Sequence, residues 1–263
     1  MKEVLNIQDL TIRYRVQSGW LLAVDSVSMT IHEGETVCLV GESGSGKSSV
    51  ALAIPKLLAT SAQISGEVVV EGTPVYQIPD KELRELRKKK ISFIFQDPVG
   101  SLIPTATVGK QLVRTISYRM EISDKAECAE RARELLVHVG LQDIDRVWHS
   151  YPFQLSGGMC QRVMIALALS VQPSLVIADE AVSALDAITQ SRVLALLRDL
   201  QSEYGFGMVF VTHDLRVAAH VSTYVGVMCA GRLVELKPTA VLFQNAELQY
   251  SRQLIESAKE LSL

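Results

Sequence analysis

The 263-residue sequence has no uninterrupted apolar stretch of the ~18–20 residues needed to cross a bilayer. Its first residues, MKEVLNIQDL, lack the charged-then-apolar layout of a secretory signal. Any role at a membrane is therefore expected from the cytosolic side, with other chains forming the spanning part. Cysteine is scarce. Cys38, Cys128, Cys160 and Cys229 lie far apart with no CxxC pair, which argues against a disulfide framework or a cysteine zinc site and for reduced thiols. An excess of one charge is also missing: at a net charge of −3, no global basic field draws the chain to nucleic acid or anionic lipid. The one dense basic run, Lys81 to Lys90 (KELRELRKKK), carries acidic residues at helical spacing and reads as a solvated helix face ahead of a binding patch. With 48% hydrophobic and 21% charged residues the composition excludes disorder, and the length allows one large domain or two small ones.

What is present is an alternation of strands and helices, the pattern of an α/β core with a largely parallel sheet. Four short apolar runs stop abruptly at polar residues. Thr36–Val40 runs into Gly41, Ile91–Phe95 into Gln96, Leu175–Ala178 into Asp179 and Glu180, and Met208–Thr212 into His213. Near-continuous hydrophobicity is expected of strands covered on both faces, and ligands in such sheets bind beyond the carboxyl ends of strands. The four ends are therefore expected to build one polar site. Between Asp97 and Gln172 no strand pattern holds, and helical periodicity covers Val108–Met120, Asp124–Val139 and Gly157–Val171. Asn6–Tyr14 and Gly66–Glu71 predict a small antiparallel β portion.

Gly41-Glu42-Ser43-Gly44-Ser45-Gly46-Lys47-Ser48 fits G-x-x-x-x-G-K-[ST], after a strand and before a helix-compatible run, Ser49–Leu58. Glycines let successive N–H groups turn toward an anion, and a helix start adds partial positive charge. Lys47 supplies a full charge for phosphates and Ser48 a hydroxyl for Mg²⁺. A chance Gly-rich turn is the competing reading, and the flanking strand and helix count against it. The loop alone leaves kinase, GTPase and motor open.

Leu155-Ser156-Gly157-Gly158-Met159-Cys160-Gln161 decides among them, because it resembles the signature of ABC (ATP-binding cassette) ATPases. Taken alone, Ser156 could be a helix cap beside two glycines. Placed after a phosphate loop and before a strand ending in Asp-Glu, the segment is specific. The resemblance implies a P-loop NTPase (RecA-like) α/β core with a small antiparallel β subdomain and an inserted helical subdomain. It implies a single domain over 1–263, with core and β portion at 1–96 and 173–240, helical subdomain at 97–172 and helical tail at 241–263. Gln96 in FQDP then resembles the Q-loop, Asp179 the Walker B aspartate and Glu180 the catalytic glutamate. Asp186 in SALD resembles the D-loop aspartate and His213 the switch histidine. Tyr14 stands where the family stacks an aromatic on adenine, although a tyrosine in a β portion is as often packing. Gly41, Ser43, Gly44, Ser45, Gly46, Lys47, Ser48 and Ser49 are the implied ATP contacts. Ser48, Gln96 and Asp179 are the implied Mg²⁺ ligands.

The likeness extends to peptide/nickel importer ATPases through Ser101-Leu102, Pro104, Thr107-Val108-Gly109, Tyr151-Pro152, Gln161–Ala166, Gly231–Glu235 and Tyr250–Leu254. It implies ATP hydrolysis that powers import of peptides or chelated nickel, by a chain attached peripherally at the cytoplasmic face of the membrane. The implied partners are a second cassette, paralogous or identical, two permease subunits and, indirectly, an extracytoplasmic binding protein, with no nucleic acid. In the family each ATP lies between one chain's phosphate loop and the Ser156-Gly157-Gly158 segment of the other. Oligopeptide members often carry a longer, cysteine-containing C-terminal region, so an end at Leu263 points to the shorter nickel-type members. Ala181-Val182 stand where the family has Pro-Thr, Cys160 where a basic residue is common and Ile103 where Asn is usual. The altered Ala181-Val182 keeps open a catalytically silent partner. A soluble ABC protein acting on DNA or ribosomes is disfavoured by the single cassette and the absence of a heptad run.

Overall fold

The computed structural model describes residues 1–17 and 19–260. The chain divides into two compact units, Met1–Leu83 with Gly205–Leu263, and Arg84–Tyr204. In the first unit, β1 (Glu3–Val16) and β2 (Gly19–His32) form an antiparallel ribbon. β3 (Thr36–Val40) leads into α1 (Lys47–Ala53). β4 (Ala62–Val70) and β5 (Thr73–Pro74) extend the ribbon in the order β2-β1-β4-β5. α2 (Asp80–Lys89) crosses from the first unit into the second. The second unit then holds β6 (Ile91–Ile94), α3 (Pro98–Ser101), α4 (Val108–Met120), α5 (Lys125–His138) and α6 (Ile144–His149). It closes with α7 (Gly157–Leu169), β7 (Leu175–Asp179) and α8 (Ala187–Tyr204). The chain returns to the first unit through β8 (Gly207–Val211), α9 (Leu215–Val221), β9 (Tyr224–Cys229), β10 (Arg232–Pro238), α10 (Thr239–Gln244) and α11 (Gln249–Glu260). The expected helical tail at 241–263 is thus described to 260; 261–263 lie outside the described residues.

In the first unit β3 lies between β8 and β9, parallel to both, and β10 closes that edge antiparallel to β9. All five residues of β3 and all five of β8 are buried, as the continuous apolar runs predict for a sheet covered on both faces. In the second unit β6 and β7 pair in parallel, Ile91 opposite Leu175 and Ile94 opposite Ala178. The inserted stretch is helical, and α4 spans the residues its periodicity marks. α1 stops well short of Leu58 because Pro55 cannot continue a helix and Lys56 turns left-handed at φ 54°.

β2 escapes the sequence pattern for a physical reason. Its buried residues are Val24, Val27, Met29 and Ile31, and the shift from even to odd positions falls at a bulge where Ser26 has φ 50°. The extra residue breaks the period of two that marks a strand.

In the second unit one half-buried cation ties helix to strand. Arg119 on α4 donates from Nε to the Lys88 carbonyl at 2.8 Å, from Nη2 to the Ile91 carbonyl at 2.9 Å and from Nη1 to Ser92 Oγ at 3.0 Å. These acceptors lie at the carboxyl end of α2 and in β6, so the guanidinium satisfies carbonyls that a helix end leaves unpaired. Burial pushes the Arg119 guanidinium down to about 10. Arg119→Ala should lower stability by about 2–4 kcal/mol, because several buried carbonyls lose a charged donor at once. Denaturant titration of the variant against the parent chain measures this directly.

Candidate functional site

The first unit carries the phosphate loop between β3 and α1. Gly41, Gly44 and Gly46 have φ of 145°, 80° and 101°, a region that L side chains rarely enter. Backbone also presses on the loop from behind. A Cβ on Gly41 would stand 2.2 Å from the Met228 carbonyl oxygen, and one on Gly46 would stand 2.5 Å from the Ala23 carbonyl oxygen. Gly231 N–H donates to the Ser45 carbonyl at 3.2 Å, so the turn after β9 shapes the same loop. Lys47 is 6% exposed. Its Nζ donates to the carbonyls of Gly41 at 2.9 Å and Glu42 at 2.7 Å and to Ser45 Oγ at 3.2 Å. The ammonium therefore lies inside the curl of the loop, held by neutral backbone and hydroxyl oxygens.

Ser43, Gly44 and Ser48 are exposed around that curl, and Ser49 follows on the first turn of α1. Tyr14 on β1 meets Ser49 Oγ through its hydroxyl at 3.1 Å, which places the ring beside the start of α1. His213 leaves the end of β8, next to the strand that feeds the loop: Thr212 N–H donates to the Leu39 carbonyl. The neighbouring Asp214 caps α9 through Arg216 N–H at 2.8 Å and pairs with the Arg216 guanidinium at 2.8 Å. Burial pushes the Asp214 carboxyl up, but the hydrogen bonds from Arg216 and the Arg216 and His213 fields outweigh it and hold it below the usual carboxylate range.

The second unit brings Gln96 together with Glu180. Because β6 and β7 run side by side, residues just past their ends emerge as neighbours, and Gln96 Nε2 donates to Glu180 Oε2 at 2.8 Å. Glu180 has φ 48°, an uncommon conformation for a residue with a long side chain, at the point where β7 turns away. Ser183 stabilises that turn, donating to the Glu180 carbonyl from N–H at 3.1 Å and from Oγ at 3.0 Å. Asp179 is the last residue of β7. Asp186 caps α8 by accepting Thr189 N–H at 3.0 Å, and hydrogen bonds from the Thr189 backbone and hydroxyl hold its carboxyl below the usual range.

Ser156 caps α7, its Oγ accepting Met159 N–H at 3.3 Å. Gly157 and Gly158 form the first turn of that helix. A Cβ on Gly158 would stand 2.5 Å from Thr189 Cγ2, so the signature segment lies tight against the start of α8. Ala181 and Val182, the departures from Pro-Thr, are 1% and 2% exposed and pack as core.

Two features had no signal in the sequence. The backing of the phosphate loop by Met228, Ala23 and Gly231 comes from residues far along the chain. The second unit also holds a cavity of about 700 Å³ between α2, β6 and α4. Arg84, Arg87, Lys88, Arg114 and Arg119 line it, and none of its lining residues is acidic. Lys88 is partnered by Glu121 at 2.7 Å and lies 5.0 Å from the Tyr118 ring, while Arg114 is exposed.

Comparison with known proteins places the chain in a family. The ABC transporter family model matches residues 24–183. The oligopeptide transport ATP-binding protein OppD of Salmonella typhimurium is 39% identical over 258 residues, covering 98% of this chain and 77% of that protein. OppD of Bacillus subtilis is 39% identical, covering 98% and 72%. Among solved structures, the ATP-binding cassette MJ0796, a dimer in a post-hydrolysis state bound to ADP and Pi, has a TM-score of 0.79 at 32% identity, covering 89% of this chain and 98% of that one. CbiO1 of Clostridium perfringens, part of the ABC transporter complex cbiONQ, has a TM-score of 0.78 at 25% identity over the full length of both chains. With the phosphate loop, signature segment and Gln96–Glu180 pair in place, the chain belongs to the ABC transporter family, as one of its ATP-binding and ATP-hydrolysing members with the P-loop ABC fold.

Proposed function

We propose that this chain powers a membrane importer of peptides, working from the cytoplasmic face as a peripheral subunit. The observation that carries the energetic half is Lys47 held inside the phosphate loop by three oxygen acceptors. ATP phosphates would replace those acceptors, exchanging neutral oxygens for charged ones. The peptide half is supported by relatives named for oligopeptide transport. No helix among the described residues is long and apolar enough to cross a membrane, so the channel belongs to permease partners, with an extracytoplasmic binding protein selecting the cargo.

Each residue has an assigned part. Gly41, Ser43, Gly44, Ser45, Gly46, Lys47, Ser48 and Ser49 hold the phosphates, and Tyr14 the base. Glu180 orients the attacking water or accepts its proton. Gln96, already on the Glu180 carboxylate, keeps that carboxylate in place, and His213 contacts the terminal phosphate. Ser156, Gly157 and Gly158 face the ATP of a second cassette, with Asp186 in the same contact; the dimeric state of MJ0796 supports this pairing. The donors Ser48, Gln96 and Asp179 fit Mg²⁺, since hydroxyl, amide carbonyl and carboxylate are hard oxygen ligands. When bound, Mg²⁺ supplies neutralisation of phosphate charge. We assign the cation-lined cavity of the second unit to contact with the permease, on the strength of its unbroken positive lining.

Three measurements test these assignments. Glu180→Gln should reduce ATP turnover by about 10²-fold or more while leaving ATP binding near the parent value, the range typical of a lost general base; unchanged turnover would sink the catalytic role. Gly41→Ala should abolish binding of a fluorescent ATP analogue, since its Cβ has no space beneath the Met228 carbonyl. Arg114→Glu should weaken co-purification with the permease while ATP affinity stays unchanged. Loss of both together would relocate the docking surface.

A further inference from the structure

Gln161 is fully buried on α7, and neither its Nε2 nor its Oε1 meets a hydrogen-bond partner. Buried amides are nearly always paired, because leaving a donor and an acceptor both unmatched in a dry interior costs stability. An apolar side chain of the same size would avoid that cost. The position of Gln161 says what its carboxamide is near. Near the end of α7, the Ala168 carbonyl accepts a 2.6 Å hydrogen bond from Ser92 Oγ on β6, which fixes the level of helix against strand. Gln161 lies seven residues earlier, ~10 Å along the helix axis at 1.5 Å per residue. The short loop between α7 and β7 reverses the chain, so moving back along α7 is moving forward along β6. About 10 Å forward from Ser92, at ~3.3 Å per residue, reaches Phe95 and Gln96. The register of β6 on β7 puts Asp179 and Glu180 at the same level.

The residue before Gln161 agrees. Cys160 Sγ donates to the Pro152 carbonyl at 3.4 Å, and burial followed by the nearby Asp97 carboxylate pushes its thiol up. Asp97 directly follows Gln96.

We infer that Gln161 is a positioning residue for hydrolysis, its carboxamide supplying one donor and one acceptor to the strand-end backbone that carries Gln96 and Glu180 when nucleotide is bound. In the structure the amide is unpaired. Pairing it with backbone on nucleotide binding favours the competent geometry by the cost it relieves. This rests on the hydrolytic reading of Glu180 given above.

The test is Gln161→Met, close in volume and lacking both polar ends. The melting temperature of the nucleotide-free chain should hold or rise, affinity for a non-hydrolysable ATP analogue should stay within about twofold, and turnover should fall roughly five- to hundredfold, the worth of two hydrogen bonds. Turnover within twofold of the parent, or turnover and melting temperature falling together, overturns the inference in favour of simple packing. Should the variant not fold, ¹⁵N-glutamine labelling of the parent chain reads the same point. The Gln161 side-chain amide protons should move downfield when the analogue binds with Mg²⁺, and an unmoved resonance overturns it. Full turnover in Glu180→Gln would instead remove the hydrolytic reading itself, whatever Gln161 does.

Discussion

Two backbone carbonyls set the shape of the loop to which phosphate binding is assigned. The oxygens of Met228 and Ala23 approach the phosphate loop so closely that neither Gly41 nor Gly46 has space for a Cβ. Both positions also need positive φ. Steric exclusion and conformation therefore demand the same residue twice. The result is a curl narrow enough for Lys47 to satisfy three oxygens from within. A charge buried in this way is stable only while its partners are fixed, so the rigidity of β9, β10 and the β1–β2 ribbon matters to a site they do not enter.

The second unit applies a different device to its own strand ends. Parallel pairing of β6 with β7 delivers Gln96 and Glu180 as neighbours, and the left-handed turn at Glu180 takes the chain away from the sheet just beyond. Ser183 holds that turn by two hydrogen bonds. Replacing Pro-Thr by Ala181-Val182 has a plain structural meaning here. Both residues are buried and apolar, so packing supports the turn without altering a charged group.

Charge is organised locally and is hidden in the total. A net charge of −3 conceals a cavity lined by five cations and no acid. Two of the five have structural duties: Arg119 closes the end of α2, and Lys88 is neutralised by Glu121. Arg84, Arg87 and Arg114 complete the positive lining. The KELRELRKKK run supplies part of it. Leu83 and Leu86 bury one side of α2, Lys81 and Lys89 are solvated, and Arg87 and Lys88 turn into the cavity. One side of the run is thus a solvated helix face and the other lines the cavity.

Much of the fold could be read along the chain, because burial on both faces makes β3 and β8 continuous apolar runs, ended by Gly41 and by Thr212 and His213. α4 could be read as well, from the helical spacing of Val108, Leu112 and Ile116. β2 could not be read, since a bulge at Ser26 interrupts its alternation and only pairing with β1 reveals the strand. Gly41, Gly46, Lys47, Gln96, Asp179, Glu180, Ser156 and His213 were marked by spacing and family likeness, as short-range motifs whose chemistry depends on neighbours in sequence. Chain order by itself thus determined that a phosphate loop, a signature segment and a carboxylate at a strand end belong to one ATP-hydrolysing protein. Tertiary structure alone decided what presses on the loop from Met228 and Ala23, which amide holds Glu180, and that Gln161 is buried without a partner. These are contacts between residues tens to nearly two hundred positions apart, and no local pattern encodes a distance that only packing creates.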